Sequence, residues 1–199
     1  MRIEICGGIG SGKTTLATLL GSTGYLHVLE DFKANPFWQP FYSNPDKFNF
    51  ETEITFLLQH YHEIKIAYEK SNTFVCDFSF YQDLAYAKMG LFFNRLKIFE
   101  EVFNEGLSEL GQPDLLICLR CDADTLLKRV QNRGRREEDS INVEFLTTLS
   151  KDIYVEANKL GHTNPVLYID SRKYNFAFSI NDQREILNQI NQAVANLKD

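Results

Sequence analysis

Gly7-Gly8-Ile9-Gly10-Ser11-Gly12-Lys13-Thr14 fits the pattern GxxxxGK[ST]. Ahead of it lies Arg2–Cys6, an apolar run of strand length, and behind it residues 13–20 read as a helix. A strand, a glycine loop and a helix in that order are the context the pattern requires. Glycines let the backbone curl so that several N–H groups face one anion, and the helix start adds partial positive charge. Lys13 supplies a point cation for the β- and γ-phosphates, and the Thr14 hydroxyl a ligand for Mg²⁺. Gly8, Ile9, Gly10, Ser11, Gly12, Lys13, Thr14 and Thr15 are therefore the expected ATP-binding residues, in a phosphate loop over 7–15.

Four more apolar runs follow: Tyr25–Leu29, Thr73–Cys76, Asp114–Leu119 and Val166–Ile169. They are continuous rather than alternating, which suits parallel strands covered on both faces. Helices are expected over 46–70, 79–89, 94–110, 122–132, 142–160 and 180–197. In the helix at 46–70, Phe50, Ile54, Leu57, Tyr61, Ile64 and Tyr68 step by four and three along one stripe. Alternating strands and helices predict an α/β, three-layer domain of the P-loop NTPase type, with a five-stranded parallel sheet flanked by helices. At 199 residues, a single domain over 1–199 is expected.

The net charge of −6 argues against a nucleic-acid coat, and no apolar run is long enough to span a membrane. The start of the chain does not resemble a secretory signal, so a cytoplasmic setting is expected. Cys118 and Cys121 have CxxC spacing, but no second pair or histidines at ligand spacing accompany them, which argues against zinc.

Basic residues crowd Lys128–Arg136, whereas no arginine occurs between Arg2 and Arg95. Arg129 and Arg133 share a helix face, and Gly134 then breaks the helix and frees Arg135 and Arg136. Such cations suit an arginine lid over 129–138, because phosphoryl transfer needs charge neutralised on the moving group. The plainer reading is a solvated, charged helix end.

GGIGSGKTTL at 7, LEDFKANPFWQPFYSNPDKF at 29, DFSFYQDLAYAK at 77, RVQNRGRREE at 129 and INVEFLTTLSKDIY at 141 together resemble the deoxynucleoside kinases. The likeness is to the small bacterial enzymes for deoxyadenosine or deoxyguanosine. It implies that Glu30 takes the proton from a sugar 5′-hydroxyl and that Asp77 sits near Mg²⁺. It also implies that Tyr42 and Glu138 hold the 3′-hydroxyl and that Arg129 and Arg133 clamp phosphates, with Arg135 beside them. The segment Ser171–Phe176 would cover the adenine. ATP and Mg²⁺ as cofactors, a nucleoside acceptor and a homodimer through a helical face follow from the same likeness.

The acceptor side departs from the family pattern. Phe78 stands where the family has an arginine, and Asp31 where a proline usually follows the catalytic glutamate. The base-reading glutamine falls on Glu53 and its later arginine on His60, while the acidic partner is kept as Asp83. Glu53 and His60 lie seven apart on the helix at 46–70. They are either an altered base-recognition pair, with a carboxylate that only accepts, or a surface acid and histidine. Three functions follow: a deoxynucleoside 5′-kinase acting on a purine substrate, a nucleoside monophosphate kinase, or a nucleotide-binding protein with little turnover. The missing arginines before residue 95 favour a neutral acceptor over a monophosphate, and Phe78 is the motive for the third reading.

Overall fold

The computed structural model describes residues 1–197; Lys198 and Asp199, at the end of the expected domain span, lie outside the described residues. Five strands form one parallel sheet in the order β2-β3-β1-β4-β5. They are β1 Arg2–Gly7, β2 Leu26–Val28, β3 Phe74–Cys76, β4 Leu115–Arg120 and β5 Val166–Asp170. This is the parallel sheet that the apolar runs predict, with β2 trimmed at both ends. Ile3 pairs with Val75 on one side and Leu115 on the other. The chain leaves β1 toward one edge and later returns to fill the other, so a crevice opens beyond the carboxyl ends of the central strands.

The helices are α1 Lys13–Gly21, α2 Trp38–Ser43, α3 Pro45–Lys70, α4 Phe80–Gly90, α5 Phe93–Leu110, α6 Ala123–Arg133, α7 Val143–Leu160 and α8 Ile180–Ala195. One face of the sheet packs Ile3, Ile5 and Ile117 against Leu16, Leu20, Ile186 and Ile190 of α1 and α8. The other face packs Cys6, Phe74 and Leu116 under Leu57, Phe99, Leu126 and Leu146 of the remaining long helices.

In α3 the expected stripe is present: Leu57 and Ile64 are buried, while Tyr68 at its end stays 43% exposed. Pro45 opens the helix and the Asn44 side chain caps it, accepting from Lys47 N at 3.2 Å. The same helix buries a second row, Thr52, Glu53 and His60. This corrects the reading of Glu53 and His60 as surface residues: the two rows face different neighbours, so α3 is covered on both. Helix α2 was not among the expected helices, and it carries Pro40. The proline sits in the first turn, where a missing N–H forfeits no intrahelical bond.

Arg2 and Glu4 are both buried in β1 and pair at 3.0 Å. Arg2 also donates to Tyr68 Oη (3.2 Å), Leu110 O (3.0 Å) and Gly111 O (2.6 Å), while Glu4 accepts from Phe80 N at 3.2 Å. Removing one partner strands the other charge in the core. Arg2→Met is therefore expected to lower unfolding free energy by about 3–5 kcal/mol, read from urea unfolding of both proteins.

Candidate active site

The phosphate loop joins β1 to α1. Gly10 and Gly12 have φ of 82° and 101°, which side-chain-bearing residues rarely adopt. At Gly12 an added Cβ would also meet the Phe176 ring at 2.9 Å. Gly12 caps α1 without a side-chain hydrogen bond, so the first-turn amides of Lys13, Thr14 and Thr15 lack intrahelical acceptors. Lys13 Nζ donates to Gly7 O at 3.0 Å. Burial pushes its pKa down, against the charges of Glu30 and Asp77. Ser11 is buried and its N donates to Gly8 O at 3.0 Å; these two shape the loop from beneath rather than line the cavity.

Glu30 and Asp77 follow the adjacent strands β2 and β3, and the backbone ties them together. Glu30 N donates to Asp77 Oδ1 at 2.6 Å, and Asp77 N to Val28 O at 3.1 Å. Burial raises the Asp77 carboxyl, opposed by hydrogen bonds from Thr14 and the Glu30 amide. Burial also pushes Glu30 up, but contacts with His60 and the charges of Lys13 and Arg135 outweigh it. The Glu30 carboxyl therefore sits below its ordinary range.

A cavity of about 450 Å³ runs from the phosphate loop past Glu30 to Glu53 and Asp83. That is within the size range of small-molecule sites. Its acceptor end is walled by aromatics, with Phe32 and Trp38 rings 4.5 Å apart and Trp38 and Tyr42 at 5.6 Å. Buried Asn35 holds this wall to α3, donating to Thr52 O and accepting from Phe37 N, both at 3.0 Å. Sequence reasoning named only Tyr42 here and missed Phe32, Trp38, Phe41, Phe56 and Tyr86. It also missed Gln82, which accepts from Gly7 N at 3.1 Å. The density of aromatic residues just after Glu30 was the available signal.

Among the lid arginines, Arg129, Arg133 and Arg135 line the cavity. Gly134, with φ of 65°, ends α6 as its sequence implies. Arg129 reaches Gly10 O (3.3 Å) and Ser171 O (2.9 Å), joining the phosphate loop to the segment 171–176. Arg133 forks onto Glu138, with Nε–Oε2 at 2.7 Å and Nη2–Oε1 at 2.5 Å, and Arg135 joins at 3.3 Å. Arg135 also lies 4.2 Å over the Phe32 ring. Burial and the neighbouring Glu138 charge push the Tyr42 phenol pKa up.

Two expected acceptor contacts lie elsewhere. Phe78 is fully buried, and His60, 1% exposed, stacks on it with centroids 4.0 Å apart and planes 7° from parallel. Neither lines the cavity. Both sit one layer behind the carboxylates because α3 and the end of β3 press together there. The cavity does bring together Glu30, Lys13, Thr14, Asp77, Tyr42, Glu53, Asp83 and Glu138.

The sequence profile of the family described as deoxynucleoside kinase matches residues 3–195. The chain belongs to the deoxynucleoside kinases. It is a phosphotransferase with an alcohol acceptor. The kinase is 32% identical to a deoxyguanosine kinase from Lactobacillus johnsonii, over 99% of this chain and 92% of the relative. It is 28% identical to a deoxyguanosine kinase from Bacillus subtilis, over 96% and 97% of the two chains. A deoxyadenosine kinase from M. mycoides, solved with bound dCTP, superposes with a TM-score of 0.79 at 22% identity, covering 96% of this kinase and 100% of that chain. At that identity the superposition speaks for the fold.

Proposed function

We propose that the kinase transfers the γ-phosphoryl group of ATP to the 5′-hydroxyl of a purine deoxynucleoside. One observation carries the neutral acceptor. Where the 5′ end of an acceptor would meet the phosphate loop, the carboxylates Glu30 and Asp77 lie together, and Arg133 and Arg135 are engaged by Glu138. A 5′-phosphate at that point would meet carboxylates. The names of the deoxyguanosine kinase relatives support the purine.

In this reading loop amides and Lys13 hold the β- and γ-phosphates, and Arg129 and Arg133 turn to the transferring group. Glu30, ionised, accepts the 5′-hydroxyl proton. Tyr42 and Glu138 hold the sugar, and residues 171–176 cover the adenine. The Thr14 hydroxyl and Asp77 carboxylate are hard oxygen donors that fit Mg²⁺. No group of three or more His, Cys, Asp or Glu among the described residues suits a metal, so the ion's remaining ligands would be phosphate oxygens and water. Bound there, Mg²⁺ neutralises phosphate charge.

Glu53 reads the base. Burial pushes its carboxyl well above the usual range, with Asp83 adding to the rise. Burial thus favours its neutral form, which offers one donor and one acceptor where the sequence reading had an accepting-only carboxylate. That pair fits the Watson–Crick edge of either purine. Glu53→Gln keeps both groups and is expected to hold kcat/KM within about threefold, whereas Glu53→Leu costs about 10–100-fold. Steady-state rates with deoxyadenosine, deoxyguanosine, deoxycytidine, thymidine and their monophosphates test both points. Purine nucleosides should lead, and a preference for monophosphates overturns the reading.

We further propose one domain spanning the chain, a homodimer through a helical face and a cytoplasmic setting. The resemblance supports the dimer, and four free cysteines suit a reducing compartment. Among the described residues no helix is long and apolar enough to cross a membrane.

A further inference from the structure

Behind the carboxylate at the cavity's centre lies an imidazole that the transfer reaction does not obviously need. His60 Nε2 lies 3.2 Å from Glu30 Oε1, and its Nδ1 lies 2.8 Å from Asp83 Oδ2. The ring is flanked on both faces, by Phe78 at 4.0 Å and Phe56 at 5.8 Å. Two carboxylates and two rings leave it no alternative orientation, and at 1% exposure water cannot replace either partner. The contrast with Glu30 is direct: that side chain is 29% exposed and projects from a loop, and among the described residues only His60 comes within ion-pair distance of its carboxylate. The Glu30 amide is tied to Asp77, but a backbone bond does not set the side-chain rotamer.

We propose that His60 is a positioning residue: pinned by Asp83 and the two phenylalanines, it aims the Glu30 carboxylate at the acceptor hydroxyl. Asp83 orients the ring and the ring orients the base, a two-step support running from α4 through α3 to the loop after β2. Phe78 serves as the flat platform of that support. A base in a proton transfer works only within about 2.6–3.2 Å of the proton's oxygen, so a loose carboxylate loses rate without losing substrate. A carboxylate beside each nitrogen favours the charged form of the ring. Burial opposes this charge, but Asp83 and Glu30 outweigh it and raise the His60 pKa well above its usual value.

The inference rests on Glu30 acting as the base, and the controls separate the two. His60→Leu is expected to lower kcat about 30–300-fold with KM for ATP within twofold, and His60→Gln, which keeps a donor, should recover about tenfold of the loss. The decisive comparison is a double variant. In a Glu30→Gln background His60→Leu should cost less than about twofold more, because the residue it serves is gone. Equal kcat for wild type and His60→Leu, equal loss in the Leu and Gln variants, or additive losses in the double variant overturns the proposal. Should the variants not fold, ¹⁵N-histidine NMR of the wild type at pH 7 decides. A proton on Nε2, the nitrogen facing Glu30, sustains the proposal, and a bare Nε2 overturns it. A wild-type enzyme that turns over no nucleoside would instead remove the functional reading itself.

Discussion

Glu30→Gln is expected to lower kcat by roughly 10²–10⁴-fold, while calorimetry finds ATP affinity within about threefold of wild type. The glutamine keeps the shape of the side chain and takes away its charge and its capacity to accept a proton. Glu30 sits at the junction of the two halves of the cavity, beside Asp77 and within the field of Lys13, and its carboxyl is held below the ordinary glutamate range. Burial alone would move it the other way, so the imidazole and the cations decide its charge. In the proposed reading the triphosphate is held by loop amides, Lys13 and the lid, and the substitution removes none of these groups. A variant that keeps wild-type kcat would transfer the base role to another group.

Lys13→Ala is expected to reduce kcat/KM about 10³-fold or more, a loss near ~4 kcal/mol of transition-state stabilisation, and to weaken ATP binding as well. The ammonium folds back on the Gly7 carbonyl, inside a loop whose free amides it complements. Burial pushes its proton affinity down, and the charges of Glu30 and Asp77 oppose that. Unlike the Glu30 change, this one should damage binding and rate together. Steady-state kinetics beside calorimetry separates the two patterns, and an unchanged ATP affinity would place the triphosphate elsewhere.

The loop and the five strands were legible because each depends on local chemistry, whereas Glu30 and Asp77 were placed by the family resemblance. Glycine spacing sets the loop, and continuous apolar runs set the parallel strands. What was not legible depends on packing across the chain. Glu53 and His60 carry polar side chains, and periodicity sees only the apolar row of α3, so their burial on a second face left no trace in the pattern. Phe78 read as a vacancy in the acceptor site because its neighbour in space, His60, comes from another element. The helix Trp38–Ser43 was missed, and with it the aromatic wall that it carries. Glu138 was assigned to the sugar without its fork to Arg133, a contact that forms only once the chain turns at Gly134.

A single-turnover reaction with γ-labelled ATP, Mg²⁺ and deoxyguanosine or deoxyadenosine follows the transferred group itself. The label should appear on a deoxynucleoside 5′-monophosphate, with one ADP formed per product. Label released only as inorganic phosphate, or carried only by an added monophosphate, would contradict transfer to a neutral 5′-hydroxyl.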